Sequence, residues 1–179
     1  MKSTVLSAMV MTLAVVSASP TARSTPYDFK SQMLASHNYF RGQHSASPLV
    51  WDNALASSSQ TWANTCNFRH DSAGENLAYK TNPQFWGEFV NMWGSERKLY
   101  NFDKPDFSAA TGHFTQVVWK NTQSLGCAWN KCNGGDGKAI GYYVVCRYSP
   151  PGNYLGQFGT QVGRQTSGSP SDVFTIYMR

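Results

Sequence analysis

At 179 residues, with 41% hydrophobic and 14% aromatic content against 14% charged, the chain is long enough for one domain with a full core and too apolar to be disordered. The formal net charge of +5 comes from scattered Lys and Arg. Scattering of that kind shows no nucleic-acid module and reads as solubility before it reads as affinity for acidic surfaces.

Residues 1–19 read as a signal peptide: Lys2, then the apolar run from Val5 to Val16, then the small residues Ser17-Ala18-Ser19. The run is too short to span a bilayer as a mature helix, so the mature protein is expected to be secreted. Residues 20–26, with Pro20 and Pro26, read as a mobile N-terminus. Phe29, Met33, His37 and Phe40 then recur at helical steps, and Ser45 to Pro48 end that helix. A second helix follows Leu49-Val50-Trp51, capped by Asp52 or Asn53, with Trp51, Leu55, Ser58, Trp62 and Cys66 on its inner face. Residues 67–76 read as loop. Pro83 opens a third helix with the stripe Phe89, Trp93, Glu96, Tyr100, and residues 101–111 are loop again.

The run Thr115-Gln116-Val117-Val118-Trp119 is ambiguous, since its β-branched residues suit a strand. Residues 124–129 and 139–148 read as strands joined by the turn Asn133-Gly134-Gly135-Asp136-Gly137. Helices before and between strands predict a sheet covered by helices. Gly, Ser and Pro make the first half of residues 164–179 a flexible tail, and Asp172 to Arg179 can add a short strand.

An even four Cys in an exported chain predicts two disulfides, with three pairings open. Zinc is the alternative use, but Cys127-x4-Cys132 lacks a nearby His. The residues able to carry chemistry are His70, Glu75, Glu96 and His113. Glu96, on a core-facing stripe, is costly unless paired or facing a cavity. Two imidazoles and two carboxylates suit a divalent metal, zinc above all, and equally suit a hydrogen-bonded network that positions loops. His37 and His44 read as ordinary helix residues. No nucleophile elbow, His-Glu-x-x-His, P-loop or dinucleotide fingerprint occurs, so no enzyme is expected. Tyr100, Phe102 and Phe107 lie in a polar loop, where they either anchor it or offer flat rings to an apolar ligand.

Gly112-His113-Phe114-Thr115-Gln116-Val117-Val118-Trp119, followed by Tyr142-Tyr143-Val144-Val145-Cys146-Arg147-Tyr148-Ser149-Pro150-Pro151-Gly152-Asn153-Tyr154, resembles the two signature motifs of the CAP superfamily (cysteine-rich secretory, antigen 5 and pathogenesis-related 1 proteins). His37-Asn38 and the segment from Pro48 to Asp52 resemble its opening helices. The resemblance runs from about Tyr27 to about Phe158, within a domain taken as residues 27–163. It implies an α+β fold, a three-layer α-β-α sandwich, with a short helix at the ambiguous run. It implies the bridges Cys127–Cys146 and Cys66–Cys132. It places His70, Glu75, Glu96 and His113 at the floor of a cleft, as the residues that would hold a divalent metal not required for folding.

The loop also resembles the loop of fungal members that binds sterols and their esters, which implies sterol contacts at Tyr100, Phe102 and Phe107. The function so implied is non-catalytic binding of sterols or other small lipids outside the cell by a monomer. Its partners are lipids, sterol-containing membranes or host extracellular proteins, and no nucleic acid. A pathogenesis-related defence or virulence protein and a metal-dependent hydrolase are the alternatives. Finally, the segment from Cys146 to Gly156 resembles the site where plant pathogenesis-related 1 proteins release a C-terminal peptide, departing from it at Arg147 and Ser149. Cleavage near Tyr148–Ser149, freeing residues 149–179, is the expectation that follows.

Overall fold

The computed structural model describes residues 28–176, so the expected signal peptide (1–19) and N-terminal segment (20–26) lie outside the described residues. Helix α1 spans Phe29–Gln43 and starts where the Asp28 carboxylate accepts the Ser31 amide at 2.7 Å. Its stripe is buried at Met33, His37 and Phe40, as the periodicity predicts. Arg41 is buried with them. It donates to the carbonyls of Ser47, Val117, Trp119 and Thr122, which ties α1 to the far side of the core. Burial lowers the guanidinium pKa to about 10.

The short strand β1 (Val50–Trp51) leads into α2 (Asn53–Ala63), whose first amides Ala54 and Leu55 donate to Asp52. The inner face of α2 differs from expectation: Ser59 and Ala63 are buried, while Leu55, Ser58 and Trp62 are only partly so. The reason is close approach. A side chain at Gly126 would meet the Ala56 backbone nitrogen at 2.2 Å, so small residues line this contact, and Ser59 donates to the Gly126 carbonyl.

Strand β2 (Glu75–Lys80) is not expected from the sequence; its first two residues fall at the end of the expected loop, 67–76. Helix α3 (Gly87–Ser95) starts four residues beyond Pro83 and continues as a 3₁₀ turn, Glu96–Lys98. The first three residues of the ambiguous run are helical, since α4 covers Gly112–Val117, and Val118 and Trp119 lie beyond its end. The hairpin β3 (Ser124–Asn133) and β4 (Ile140–Ser149) follows, then α5 (Phe158–Gln161). The sheet order is β1-β3-β4-β2, with β1 parallel to β3 and the other pairs antiparallel.

Alternation along the strands makes the layers. Val144, Cys146 and Tyr148 of β4 join the core beneath α1, α3 and α4, which includes Phe40, Phe89, Trp93 and Phe114. Tyr143 and Val145 join a smaller core with Ala63, Leu77 and Ala139, against α2. The result is the α-β-α arrangement. Disulfides join Cys66 to Cys132 and Cys127 to Cys146, the latter pair directly opposite in the β3–β4 ladder.

The expected free tail is not free. Arg97, buried, donates to the carbonyls of Pro170, Ser169 and Asp172, and Phe174 packs on Tyr39 and Phe85. Residues 172–176 form no strand, because Asn91 and Arg97 take up their backbone groups instead of a sheet edge. No helix among the described residues is long and apolar enough to cross a membrane.

Candidate functional site

The four candidate residues fold into two imidazole–carboxylate pairs. Glu96 sits where α3 tightens into its 3₁₀ turn. There Glu96 Oε1 lies 2.7 Å from His113 Nδ1, and Oε2 accepts the Phe114 amide at 3.0 Å. This pairing answers the cost of a carboxylate on an otherwise apolar stripe. Glu75 opens β2 with its side chain fully buried, and its Oε2 lies 3.3 Å from Nδ1 of the mostly exposed His70. Glu75 Oε1 also accepts two bonds of 3.2 Å from Arg147, and Oε2 accepts the Asp71 amide at 3.1 Å. Arg147 in turn holds Asp71 at 2.7 Å and Ser58 at 2.6 Å. The Arg147 guanidinium therefore balances the buried Glu75 charge within the protein.

His70, Glu75, Asn76, Phe107, Gly112 and His113 line a cavity of about 280 Å³. A second cavity, about 490 Å³, runs from Glu96 and His113 along Leu77, Tyr79, Met92 and Trp93. His113 stands at the junction of the two, with Trp93 stacked on its ring at 6.2 Å. Among the described residues no three His, Cys, Asp or Glu are grouped so as to hold a metal ion together. What the donor set offers is two imidazoles, each engaged at Nδ1 by a carboxylate. A metal-binding histidine carries that kind of outer partner.

A buried relay behind the site was not legible as function. Asn76 donates to the His113 carbonyl at 3.0 Å and to the Tyr148 hydroxyl at 3.1 Å. Tyr148 donates to His37 Nε2 at 2.7 Å, since His37 Nδ1 must donate to the Met33 carbonyl, also at 2.7 Å. Burial, with Arg41 nearby, lowers the His37 pKa to about 3 despite the Met33 bond, and burial raises that of Tyr148 well above its usual range. The ring is neutral and structural, as its place on the α1 stripe implies. Arg147 was also missed; its signal is a lone charge inside an apolar strand.

The aromatic loop divides. Tyr100 is buried, and Phe102, partly exposed, packs against it with ring centroids 4.8 Å apart. Phe107 is 51% exposed and leans over the start of α4, where a side chain at Gly112 would come within 3.1 Å of its ring. Of the three, Phe107 reaches the cavity that holds His70 and His113.

The model of the cysteine-rich secretory protein family, CAP, matches residues 34–148. Fruiting body protein SC14 of Schizophyllum commune is 40% identical over 143 residues, covering 73% of this chain and 65% of that protein, so the chain spans just under two thirds of its length. Pathogenesis-related protein 1 of Arabidopsis thaliana is 34% identical over 163 residues, covering 88% of this chain and 98% of that protein. Among solved structures, the hookworm platelet inhibitor superposes with a TM-score of 0.63 at 22% identity, covering 80% of each chain. NaASP2, solved with Zn2+, gives 0.62 at 20% identity, covering 82% of this chain and 91% of that one. At these identities the structural likeness speaks for the fold. With its fold, paired His and Glu residues and matching motifs, the chain belongs to the CAP family of cysteine-rich secretory proteins.

Proposed function

We propose that the chain is an extracellular CAP-type binding protein that takes up sterols or similar small amphiphiles at the loop of residues 100–107, without covalent chemistry. The observation that carries this reading is the exposed Phe107 ring, set at the mouth of the cavity shared by His70 and His113 with the partly exposed Phe102 in the same loop. Flat rings at an opening suit a flat apolar body. The four cysteines are spent in bridges, which leaves no thiol nucleophile. The pathogenesis-related names of the plant relatives support an extracellular, defence-type setting.

A divalent ion, zinc foremost, would be held by His70 and His113 through the nitrogens their carboxylate partners leave open, with Glu75 and Glu96 as orienting groups. Two protein ligands give weak binding and make the ion dispensable for folding. The test incubates the secreted protein with a radiolabelled sterol and a competing fatty acid and measures what is retained. Sterol retention that falls in Phe107→Ala is expected; retention no higher than that of an unrelated secreted protein overturns the reading.

A further inference from the structure

The two signature motifs of the sequence meet at their C-terminal ends, in a place the proposed function does not use. Trp119, the last residue of the first motif, lines a cavity of about 340 Å³ together with Pro150, Pro151 and Tyr154 of the second. Asn121, Gln123 and Gln157 complete its lining. Small-molecule sites begin at roughly this size, about 300 Å³. The cavity shares no lining residue with the two that His113 joins, and none with the loop of residues 100–107.

Its walls are held from behind. The Pro150 carbonyl accepts the Thr122 hydroxyl at 2.9 Å, and the Gly152 amide donates to Gln116 Oε1 at 2.8 Å. A side chain at Gly152 would meet the Trp119 ring at 2.8 Å, so glycine lets the proline segment lie directly on the indole. The Asn121 amide donates to Gln161 at 2.9 Å and the Gln157 amide to the Tyr154 carbonyl at 3.1 Å. Walls fixed in this way spare a ligand the cost of ordering them. Trp119 is 1% exposed and forms the base, whereas Tyr154 is 50% exposed and stands at the rim.

The lining is uncharged. It contains no Asp, Glu, Lys, Arg or His, and Lys120, between two lining residues, carries its Cε beside Gly163 instead. Among the described residues, none hydrogen-bonds to the side-chain amides of Asn121, Gln123 and Gln157 or to the Tyr154 hydroxyl. A side-chain amide both donates and accepts, which matches a sugar hydroxyl, itself a donor and an acceptor. A pyranose ring also presents a face of C–H groups, whose slightly positive hydrogens sit well on the negative face of an aromatic ring. We propose that this cavity binds a neutral oligosaccharide, with one sugar ring stacked on Tyr154 and its hydroxyls bonded by Asn121, Gln123 and Gln157. A lipid would desolvate these amides without pairing them. An acidic sugar finds no cation here.

The test titrates the isotope-labelled protein with laminaripentaose, cellopentaose, mannopentaose and, as the charged counterpart, pentagalacturonate. The first two stand for polysaccharides and the third for the glycans of glycoproteins. A neutral pentasaccharide should move the side-chain amide signals of Asn121, Gln123 and Gln157 in NMR spectra to saturation, and pentagalacturonate at the same concentration should leave them in place. Movement with laminaripentaose or cellopentaose supports the site with a polysaccharide as its source, and movement with mannopentaose alone supports it with a glycoprotein glycan. Tyr154→Ala, at an exposed ring, should weaken binding about tenfold, the size of one ring stack, while Tyr154→Phe keeps the ring and should bind nearly as wild type does. Asn121→Ala should weaken it about fivefold, the size of one net hydrogen bond. No movement of the three amides with any neutral pentasaccharide, equal binding of pentagalacturonate, or unchanged affinity in Tyr154→Ala overturns the proposal.

Discussion

His113 Nδ1 lies 2.7 Å from Glu96 Oε1, and the other oxygen of that carboxylate holds the amide of the next residue, Phe114. Glu96 thus fixes both the ring and the backbone that carries it, and under the proposed metal reading it would orient His113 rather than ligate the ion. Glu96→Ala should lower zinc affinity by about 10- to 100-fold, whereas His113→Ala should abolish binding and leave the circular dichroism spectrum native. Titration calorimetry on both variants checks this. Equal zinc uptake by wild type and His113→Ala would remove the pair from consideration.

A second prediction follows from the buried relay. The His37 pKa falls from its ordinary 6.5 to about 3 on folding, and that of His44 falls as well. Below pH 6.5 the unfolded chain therefore binds protons that the folded one refuses. Stability from these groups is fully present above that pH and is lost as pH falls through the window. His37 contributes a slope approaching about 1.4 kcal/mol per pH unit, and His44 adds to it in the same sense. Thermal melting should be flat from pH 8 to 7 and decline from pH 6.5 to 5, above the range where ordinary carboxylates titrate. The decline should be shallower in His37→Gln, and an equal slope in that variant would count against the assignment.

Where the sequence was readable, one residue class decided the outcome. The stripe of α1 needed no tertiary information, and the sequence narrowed the α2 cap to Asp52 or Asn53, of which Asp52 accepts the first amides. Strand β2 was hidden, because Glu75-Asn76-Leu77-Ala78-Tyr79-Lys80 contains no β-branched residue and follows a turn-rich segment. It is a strand because β4 pairs with it over its whole length. The buried face of α2 was misplaced because Gly126 on another element sets how closely the helix approaches. At the site, residue types and the family resemblance together named the four candidates. The relay from Asn76 through Tyr148 to His37 joins positions far apart in sequence and becomes visible only in three dimensions.

The two bridges should differ in worth. Cys66 and Cys132 are 66 residues apart and Cys127 and Cys146 are 19 apart. Restricting the longer loop removes more unfolded-state entropy, by about 1 kcal/mol. The shorter bridge also joins strands already held by the β3–β4 ladder. Replacing Cys66 and Cys132 with Ala should therefore cost more stability in urea unfolding than replacing Cys127 and Cys146. The reverse order would show that unfolded-chain entropy is not the deciding effect.

Lipid uptake at the loop and lipid uptake in the larger cavity along β2 make different demands. Met92 lines that cavity and is 48% exposed, so Met92→Trp fills it without disturbing the core. If the loop is the site, Met92→Trp should retain sterol like wild type. Phe107→Ala should lose affinity corresponding to about 1–3 kcal/mol of apolar contact. Lost retention in Met92→Trp, with Phe107→Ala unaffected, would move the site to the cavity along β2.

The last prediction concerns the expected release of residues 149–179. The bond after Tyr148 lies inside β4: Tyr148 pairs with Leu125, and the Ser149 carbonyl accepts the Gln123 amide at 2.9 Å. Beyond it, Gly152 donates to Gln116 at 2.8 Å, and Phe158 and Val162 are buried in the core. Arg97 then clamps the carbonyls of Ser169, Pro170 and Asp172, and Asn91 exchanges two hydrogen bonds with Phe174. A protease needs an extended, unpaired segment, and this one is paired before the bond and docked after it. Native protein should therefore yield no fragment beginning at Ser149, and protein cut there by other means should keep the segment bound until denatured. Arg97→Met removes the clamp and should raise hydrogen exchange across residues 166–174 while leaving β3 and β4 protected. Mass spectrometry after limited proteolysis without denaturant decides the point, and a free fragment starting at Ser149 from wild-type protein would show that the docked segment opens on its own.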